Sequence, residues 1–387
     1  MTRYIIFYCC RCSFMRKERN KALLVVSRLV AIAATVSLCL LLSTTSRLPH
    51  AVTAEAQETS SAPSVVSAMP TPVPTPQYFE LSFVGDCTLA STTANKPLSI
   101  SYENVVGDNY GYPFEKTVQY FKDDDFTFAN LECALTASKA SDDKNFCFKA
   151  DPAYAQILTA GSVEFVTLGN NHVMDYGEEG YADTKAALDA VGVCLAGRDE
   201  GKIFETKSGL KIGVYAVSFG KTQQIKDGIA ALKAEGAEFI VAAIHWGDEG
   251  SYDINDLQRE QGHAAIDAGA DIVIGSHPHT LQPVEEYNGK YIYYSMGNWS
   301  FGGNTAPRDP DTIILKLKVE RAVDRTISIV DRTHIPCACT GVVGGNNYQP
   351  VPYEEGSEQY NRTLSKIDGT FNGPNLTIGY QYNFSEY

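Results

Sequence analysis

Two histidines separated by one proline, His277 and His279 in "SHPH" (276–279), are the residues of this chain most suited to holding a metal ion. They follow an apolar run, "ADIVI" (270–274), of the kind that forms a buried strand. An imidazole ligates borderline divalent metals, and a proline between two histidines limits the freedom of the loop that aims them. Further donors stand in the same local setting, each just after an apolar run. Asp86 follows "YFELSFVG", and Glu132 follows "FTFANL". Asn170, Asn171 and His172 follow "VEFVTLG", and His245 closes "EFIVAAIH". Together Asp86, Glu132, Asn171, His245, His277 and His279 form a mixed oxygen and nitrogen set without thiolates. That set suits Mn, Fe or Zn, and Mg or Ca with it, as one ion or two. Two such ions a few ångströms apart clamp a phosphoryl group and activate a water. Each residue alone has a plainer use, as a helix cap, a turn former or a hydrogen-bonded core histidine. Their shared position at strand ends is what joins them. His263 falls within a helical pattern and reads as a packing or surface residue, and His50 and His334 lack supporting context.

The elements that must position these groups alternate. Apolar, β-branched runs are followed by helical patterns such as "PAYAQILTAG", "YADTKAALDAVG", "IKDGIAALKAEG" and "LQREQGHAAIDAG", which end in glycine as helix C-termini often do. Strands alternating with helices predict an α/β domain with a largely parallel central sheet, and such sheets bind ligands at the carboxyl ends of their strands. "KYIYYS" leads in the same way to Met296-Gly297-Asn298, and after Asp311 "TIILKLKVE" and "TISIV" read as further β structure.

The chain carries a net charge of −14, but the first 50 residues hold eight Lys/Arg and one Asp/Glu. The remainder has 24 basic and 45 acidic residues, a net of −21. A body this acidic argues against binding nucleic acid through a basic surface. Residues 1–21 form a basic flank to an apolar stretch at 22–43, interrupted by Arg28, which reads as a signal peptide or a membrane anchor with the body facing outward. Residues 44–77 are rich in Ser, Thr, Ala and Pro and include "MPTPVPTPQ", a semi-rigid spacer. The folded domain is expected over 78–345, followed by a Tyr-, Asn- and Gly-rich tail at 346–387 of weak periodicity. Six cysteines lie beyond the signal region. An exported chain permits disulfides, and Cys133–Cys147, which would staple one loop, is the expected pair.

Taken in order, Gly-Asp, Asn-Leu-Glu, Gly-Asn-Asn-His-x-x-Asp-x-Gly, His-Trp-Gly-x-Glu, Ser-His-Pro-His and Met-Gly-Asn closely resemble the CapA family of bacterial capsule synthesis, or poly-γ-glutamate biosynthesis, proteins. The resemblance covers roughly residues 79–319, and the family looks like a branch of the calcineurin-like metallophosphoesterases. It implies a four-layer α/β/β/α sandwich, a membrane-held protein acting on a capsular polymer beside other capsule synthesis proteins, and roles for single residues. Asp86, Glu132, Asn171, His245, His277 and His279 match metal ligands, with Glu132 bridging. His172 matches the histidine that protonates a leaving group, with Asp175 beside it. Asn130, Asn170 and Glu249 match positions that orient ligands without touching the ion. The chain departs from the metallophosphoesterase pattern where Thr88 stands in place of the histidine of Asp-x-His, and where Asn130-Leu131-Glu132 replaces Gly-Asp-x-x-Asp. These departures weaken a full two-metal phosphatase site, whereas a single ion, a different ion or a binding site without hydrolysis fits them; a secreted phosphoesterase and a non-enzymatic scaffold are the alternative functions.

Overall fold

The structure is a computed structural model that describes residues 75–142 and 144–378. The basic segment, the apolar stretch expected as a transmembrane or signal helix, and most of the Pro-rich spacer lie outside the described residues. Among the described residues no helix is long and apolar enough to cross a membrane.

The first strand, β1 (Gln77–Thr88), is followed by the short helix α1 (Tyr102–Val106) and by β2 (Phe126–Leu131). A two-stranded ribbon, β3 (Ala134–Leu135) with β4 (Lys149–Ala150), leads to α2 (Ala155–Ala160), β5 (Phe165–Thr167), α3 (Gly177–Val191) and β6 (Cys194–Ala196). The chain then builds a second set: β7 (Glu200–Glu205), β8 (Lys211–Ser218), α4 (Thr222–Ala234), β9 (Phe239–His245), α5 (Asp256–Ala268), β10 (Ile272–Ser276), β11 (Val284–Tyr287) and β12 (Lys290–Tyr293). It returns through β13 (Asn298–Phe301), β14 (Asp311–Arg321), β15 (Ile327–Ala338) and β16 (Val351–Pro352) to α6 (Glu358–Ile367).

These strands make two mixed sheets. One runs β16-β15-β14-β1-β2-β5-β6, with β13 also paired to β1, and the other runs β11-β12-β10-β9-β8-β7. The expected parallel pairing holds for β1-β2-β5-β6 and for β8-β9-β10-β12, while antiparallel strands flank both groups. The core explains the layering. The second half of β1 is buried on both faces. Phe79, Leu81 and Phe83 meet Ile212, Val214, Val241 and Ile274 of the second sheet, while Val84 and Cys87 belong to a separate cluster under the helices α1–α3. On the far side, Ile240, Ile244 and Val273 pack against Ile225, Ile229 and Ile266 of α4 and α5. The order is therefore helices, sheet, sheet, helices, and strands buried on both faces read as continuous apolar runs.

One expectation is corrected here. Cys133 and Cys147 are not bonded, and all six cysteines of the described residues are free thiols. The parallel pairing of β3 with β4 sets Ala134 opposite Lys149, and Cys133 lies within the helix-covered core while Cys147 is only half-buried. For the tail, where the sequence leaves both packing on the domain and partial looseness open, the structure shows packing through α6. In α6, Lys366 is buried between Asp309 and Asp311 at 2.7 Å from each, Arg362 clasps Asp311 through two bonds of 2.6 and 2.7 Å, and Tyr353 donates to the same carboxylate. Removing one partner of a buried ion pair costs about 3–5 kcal/mol because the other charge is left uncompensated. Lys366→Met leaves Arg362 on Asp311 but strands Asp309, so a loss near the lower end, about 3 kcal/mol, is expected in urea unfolding.

Candidate metal centre

Local backbone geometry gathers the donors. Hydrogen-bond register slips between Phe83 and Asp86, a bulge that re-aims the end of β1. Gly85 sits at the slip, where an added Cβ would lie 1.9 Å from the carbonyl oxygen of Gly297, so only glycine lets β1 approach this closely. His277 and His279 adopt φ of +98° and +56°, a region that non-glycine residues seldom occupy. Such strain persists where surrounding structure over-determines it, and it clusters at functional sites.

Around this frame the six sequence-predicted donors converge. One ligand atom each from Glu132, His245 and His277 lie within 4.8 Å of one another, and the same holds for Asp86, Glu132 and His279. Glu132 is common to both sets and fully buried, and neither of its carboxylate oxygens has a hydrogen-bond partner. Asn171 joins the first set, its Oδ1 standing 3.0 Å from His245 Nε2. A third set, Glu249, His277 and His279, is equally compact.

The remaining polar contacts fix these groups in place. Asn130 donates to Asp86 Oδ1 at 2.9 Å, and Asn170 donates in turn to Asn130 at 3.0 Å and to the Leu131 carbonyl. The backbone N–H of His277 reaches Asp86 Oδ2 at 3.3 Å. His245 Nδ1 lies 2.9 Å from Ser276 Oγ, and His279 Nδ1 lies 2.9 Å from Asn298 Oδ1. Such partners set the tautomer and orientation of a ligating imidazole. His172 Nδ1 lies 2.9 Å from Asp175 Oδ2, and Asp175 also accepts from the Phe148 backbone and pairs with Lys144. Thr88 is buried and donates to the Glu132 carbonyl at 3.3 Å, so its hydroxyl is engaged by main chain.

Electrostatically the cluster calls for a cation. Burial pushes Glu132 well above the usual carboxylate range, against the pull of His279, with Asp86 and Glu249 adding to the rise. Burial, and then the neighbouring histidines, hold His245 and His277 well below the usual imidazole range, in the neutral form that ligates metals. Burial also lowers His172, against the opposing pull of Asp175. His279 is the exception. Burial would lower it, but Glu132, Asp86 and Glu249 outweigh that and raise it to about 10. A buried carboxylate without hydrogen bonds, neutral imidazoles and oxygen donors without thiolate fit one or two divalent metal ions.

The centre opens on a cleft of about 280 Å³, with His172, Glu249, His279 and Asn298 on its polar side. Phe148 and Phe301 wall it, together with Leu376 of the C-terminal segment. That segment is tied down by Leu376 N–H to the Gly250 carbonyl at 2.8 Å, and by Arg308, which donates to the Thr377 carbonyl at 2.6 Å. The sequence reading missed four contributors. Asn298 and Ser276 stood in motifs already noted and carried a signal. Lys144 and Leu376 lie in aperiodic stretches and carried none. His263, read as a packing residue, stacks on Tyr287 with ring centroids 3.9 Å apart.

Comparison with known proteins agrees with the motif order. A PGA biosynthesis protein, CapA, from Bacillus subtilis (strain 168) is 33% identical over 234 residues, 53% of this chain and 61% of that protein. A capsule biosynthesis protein CapA from Bacillus anthracis is 27% identical over 50% of this chain and 55% of its own. A probable polyglutamine synthesis accessory protein of Mycobacterium tuberculosis is 28% identical over 45% and 55%. The chain thus spans less than two thirds of the length of these relatives. Among solved structures it is similar to an NAD nucleotidase of Haemophilus influenzae, at 12% identity and a TM-score of 0.39, over 76% of this chain and 63% of that one. Residues 80–302, more than half of the chain and every motif from Asp86 to Asn298, match the family described as bacterial capsule synthesis protein PGA_cap, and the chain belongs to that family.

Proposed function

We propose that the protein is a membrane-anchored, outward-facing component in the synthesis, export or anchoring of an anionic capsular polymer such as poly-γ-glutamate, and that it acts through a metal-dependent hydrolytic centre. The observation that carries this reading is the fully buried Glu132 carboxylate, free of hydrogen bonds and shared by two donor sets. Asp86, Glu132 and His279 would hold one ion, and Glu132, Asn171, His245 and His277 the other, with Mn, Fe or Zn the metals that suit this donor set. When bound, such ions supply a water nucleophile at neutral pH and polarise the bond under attack. The chain's own residues do the rest. Asp175 holds His172 through Nδ1 and favours the ring's protonated form, in which Nε2–H would be the donor for a leaving oxygen. Phe148 and Phe301 line the cleft beside that ring and give it an apolar wall. The acidic body suits a polyanion poorly, but bound cations invert the local field, and Arg308 adds positive charge at the cleft wall.

A capsule assay tests this reading against a scaffold that needs no metal. In a strain lacking the chromosomal copy, His277→Ala and His279→Ala are expected to abolish both bound metal and surface polymer. Loss of metal with polymer intact would place the function in the scaffold alone. Turnover of small phosphoesters by the purified protein with Mn or Zn, without any effect on polymer, would instead favour a secreted phosphoesterase.

A further inference from the structure

The loop that follows β9 is laced to the loop that carries the two histidines. Trp246 N–H donates to the Ser276 carbonyl at 3.1 Å, and Gly250 N–H donates to the Pro278 carbonyl at 2.8 Å. Between these ties the chain turns through two left-handed glycines, Gly247 and Gly250, with φ of +81° and +72°. A Cβ at Gly247 would lie 2.6 Å from the Gln258 amide and would force that side chain to shift. Glu249 is carried by this clamped turn on the cleft side of the centre. One of its carboxylate oxygens lies within 4.8 Å of a ring nitrogen of His277 and of one of His279. The sequence predicts for Glu249 only a role in orienting ligands, but this spacing is one that a shared ion could bridge. Thr88, where metallophosphoesterases place a histidine, spends its hydroxyl on the Glu132 carbonyl.

We propose that Glu249 is a direct carboxylate ligand of the centre, sharing an ion with His279 and supplying the donor that Thr88 does not. The inference rests on the metal-centre reading above. The compact set of Glu249 with two histidines carries it, and the Glu132 carboxylate, buried at the centre of the cluster without a hydrogen bond, is an independent sign that a cation belongs there. Replacing nitrogen by a carboxylate makes this position harder and more anionic, which shifts its preference toward Mn and Mg relative to Zn. It also sets a ligand on the half-buried wall of the cleft, where an incoming anionic group meets it.

The test uses the full-length purified protein stripped of metal, then titrated with Mn²⁺ and separately with Co²⁺, with Glu249→Gln, Glu249→Ala and Thr88→Ala beside wild type. Circular dichroism checks that each variant is folded. Both Glu249 variants are expected to weaken one ion by more than the roughly 10–100-fold typical of a partner that touches only the ligands. They are also expected to change the Co²⁺ absorption spectrum, which reports coordination number and donor type. Thr88→Ala is expected to leave stoichiometry and spectrum unchanged. Wild-type stoichiometry and spectrum in Glu249→Gln, in a protein whose Glu132→Gln variant loses ions, would overturn this assignment and leave the metal centre standing. Absence of bound ion in wild type would overturn the centre and the assignment together.

Discussion

Glu132→Gln is expected to empty the centre of metal while making the metal-free protein more stable. The two effects have opposite sign because the carboxylate serves one state only. In both candidate ion positions Glu132 is a shared donor, so neutralising it removes an anionic ligand from each at once. Without metal, the same carboxyl is fully buried near Asp86, Asp175 and Glu249, makes no hydrogen bond through either oxygen, and has His245 Nε2 at 3.5 Å and His279 Nε2 at 3.9 Å as its opposing neighbours. Burying a polar group without a hydrogen bond costs about 1–3 kcal/mol, and an amide of nearly the same shape removes the repulsion from the neighbouring carboxylates, an effect partly offset by the lost attraction to His279. A gain on the order of 1–2 kcal/mol in the metal-free variant is therefore expected. Wild type should recover the difference on adding metal, since an ion at about 100 times its Kd stabilises the folded state by about 2.7 kcal/mol. Thermal melts with and without Mn²⁺ read both effects. A variant that is less stable than wild type without metal, or that gains as much from Mn²⁺, would show that Glu132 is an ordinary buried structural residue.

The second large effect is expected at His172. It lines the cleft, next in sequence to Asn171, and its Nδ1 is held by Asp175. General acid catalysis contributes roughly 10²–10⁴-fold, so His172→Ala should lower kcat by about that factor on any phosphoester or polymer bond the protein cleaves. Metal content should stay at the wild-type level, because no ligand atom is removed. A substrate whose leaving group needs no proton, such as a nitrophenyl ester, should lose much less. Equal losses on both kinds of substrate would mean that His172 positions the cleft rather than delivering a proton. Asp175→Asn is a less clean probe, since Asp175 also holds the Phe148 backbone and Lys144.

Much of this site was legible in the sequence because its donors stand at the ends of apolar strands. Asp86, Glu132, Asn171, His245, His277 and His279 could be paired with strands by eye, and topology carries strand ends to one edge. The split into two sheets was not legible from periodicity. Strands of both sheets are buried on both faces, so "FVTL" in one and "FIVAAI" in the other read alike, and only the family resemblance implied the sandwich. Strand β8 (Lys211–Ser218) is as apolar as its neighbours but ends without a ligand motif, so nothing drew attention to it. Helix α6 is hard to read because only Leu364 and Ile367 of it reach the core, and a buried Lys366 and an ion-paired Arg362 supply the rest of its anchoring. The role of Glu249 was hidden for a third reason. Its approach to the histidines depends on hydrogen bonds between two loops, which no pattern within either loop records.

Metal analysis of the purified protein tests most directly whether these donors hold metal. Wild type loaded with Mn²⁺ or Zn²⁺ and freed of excess ion by gel filtration is expected to carry about one to two equivalents, and Glu132→Gln close to none. Less than about half an equivalent in wild type, or equal metal in the two proteins, would contradict the account.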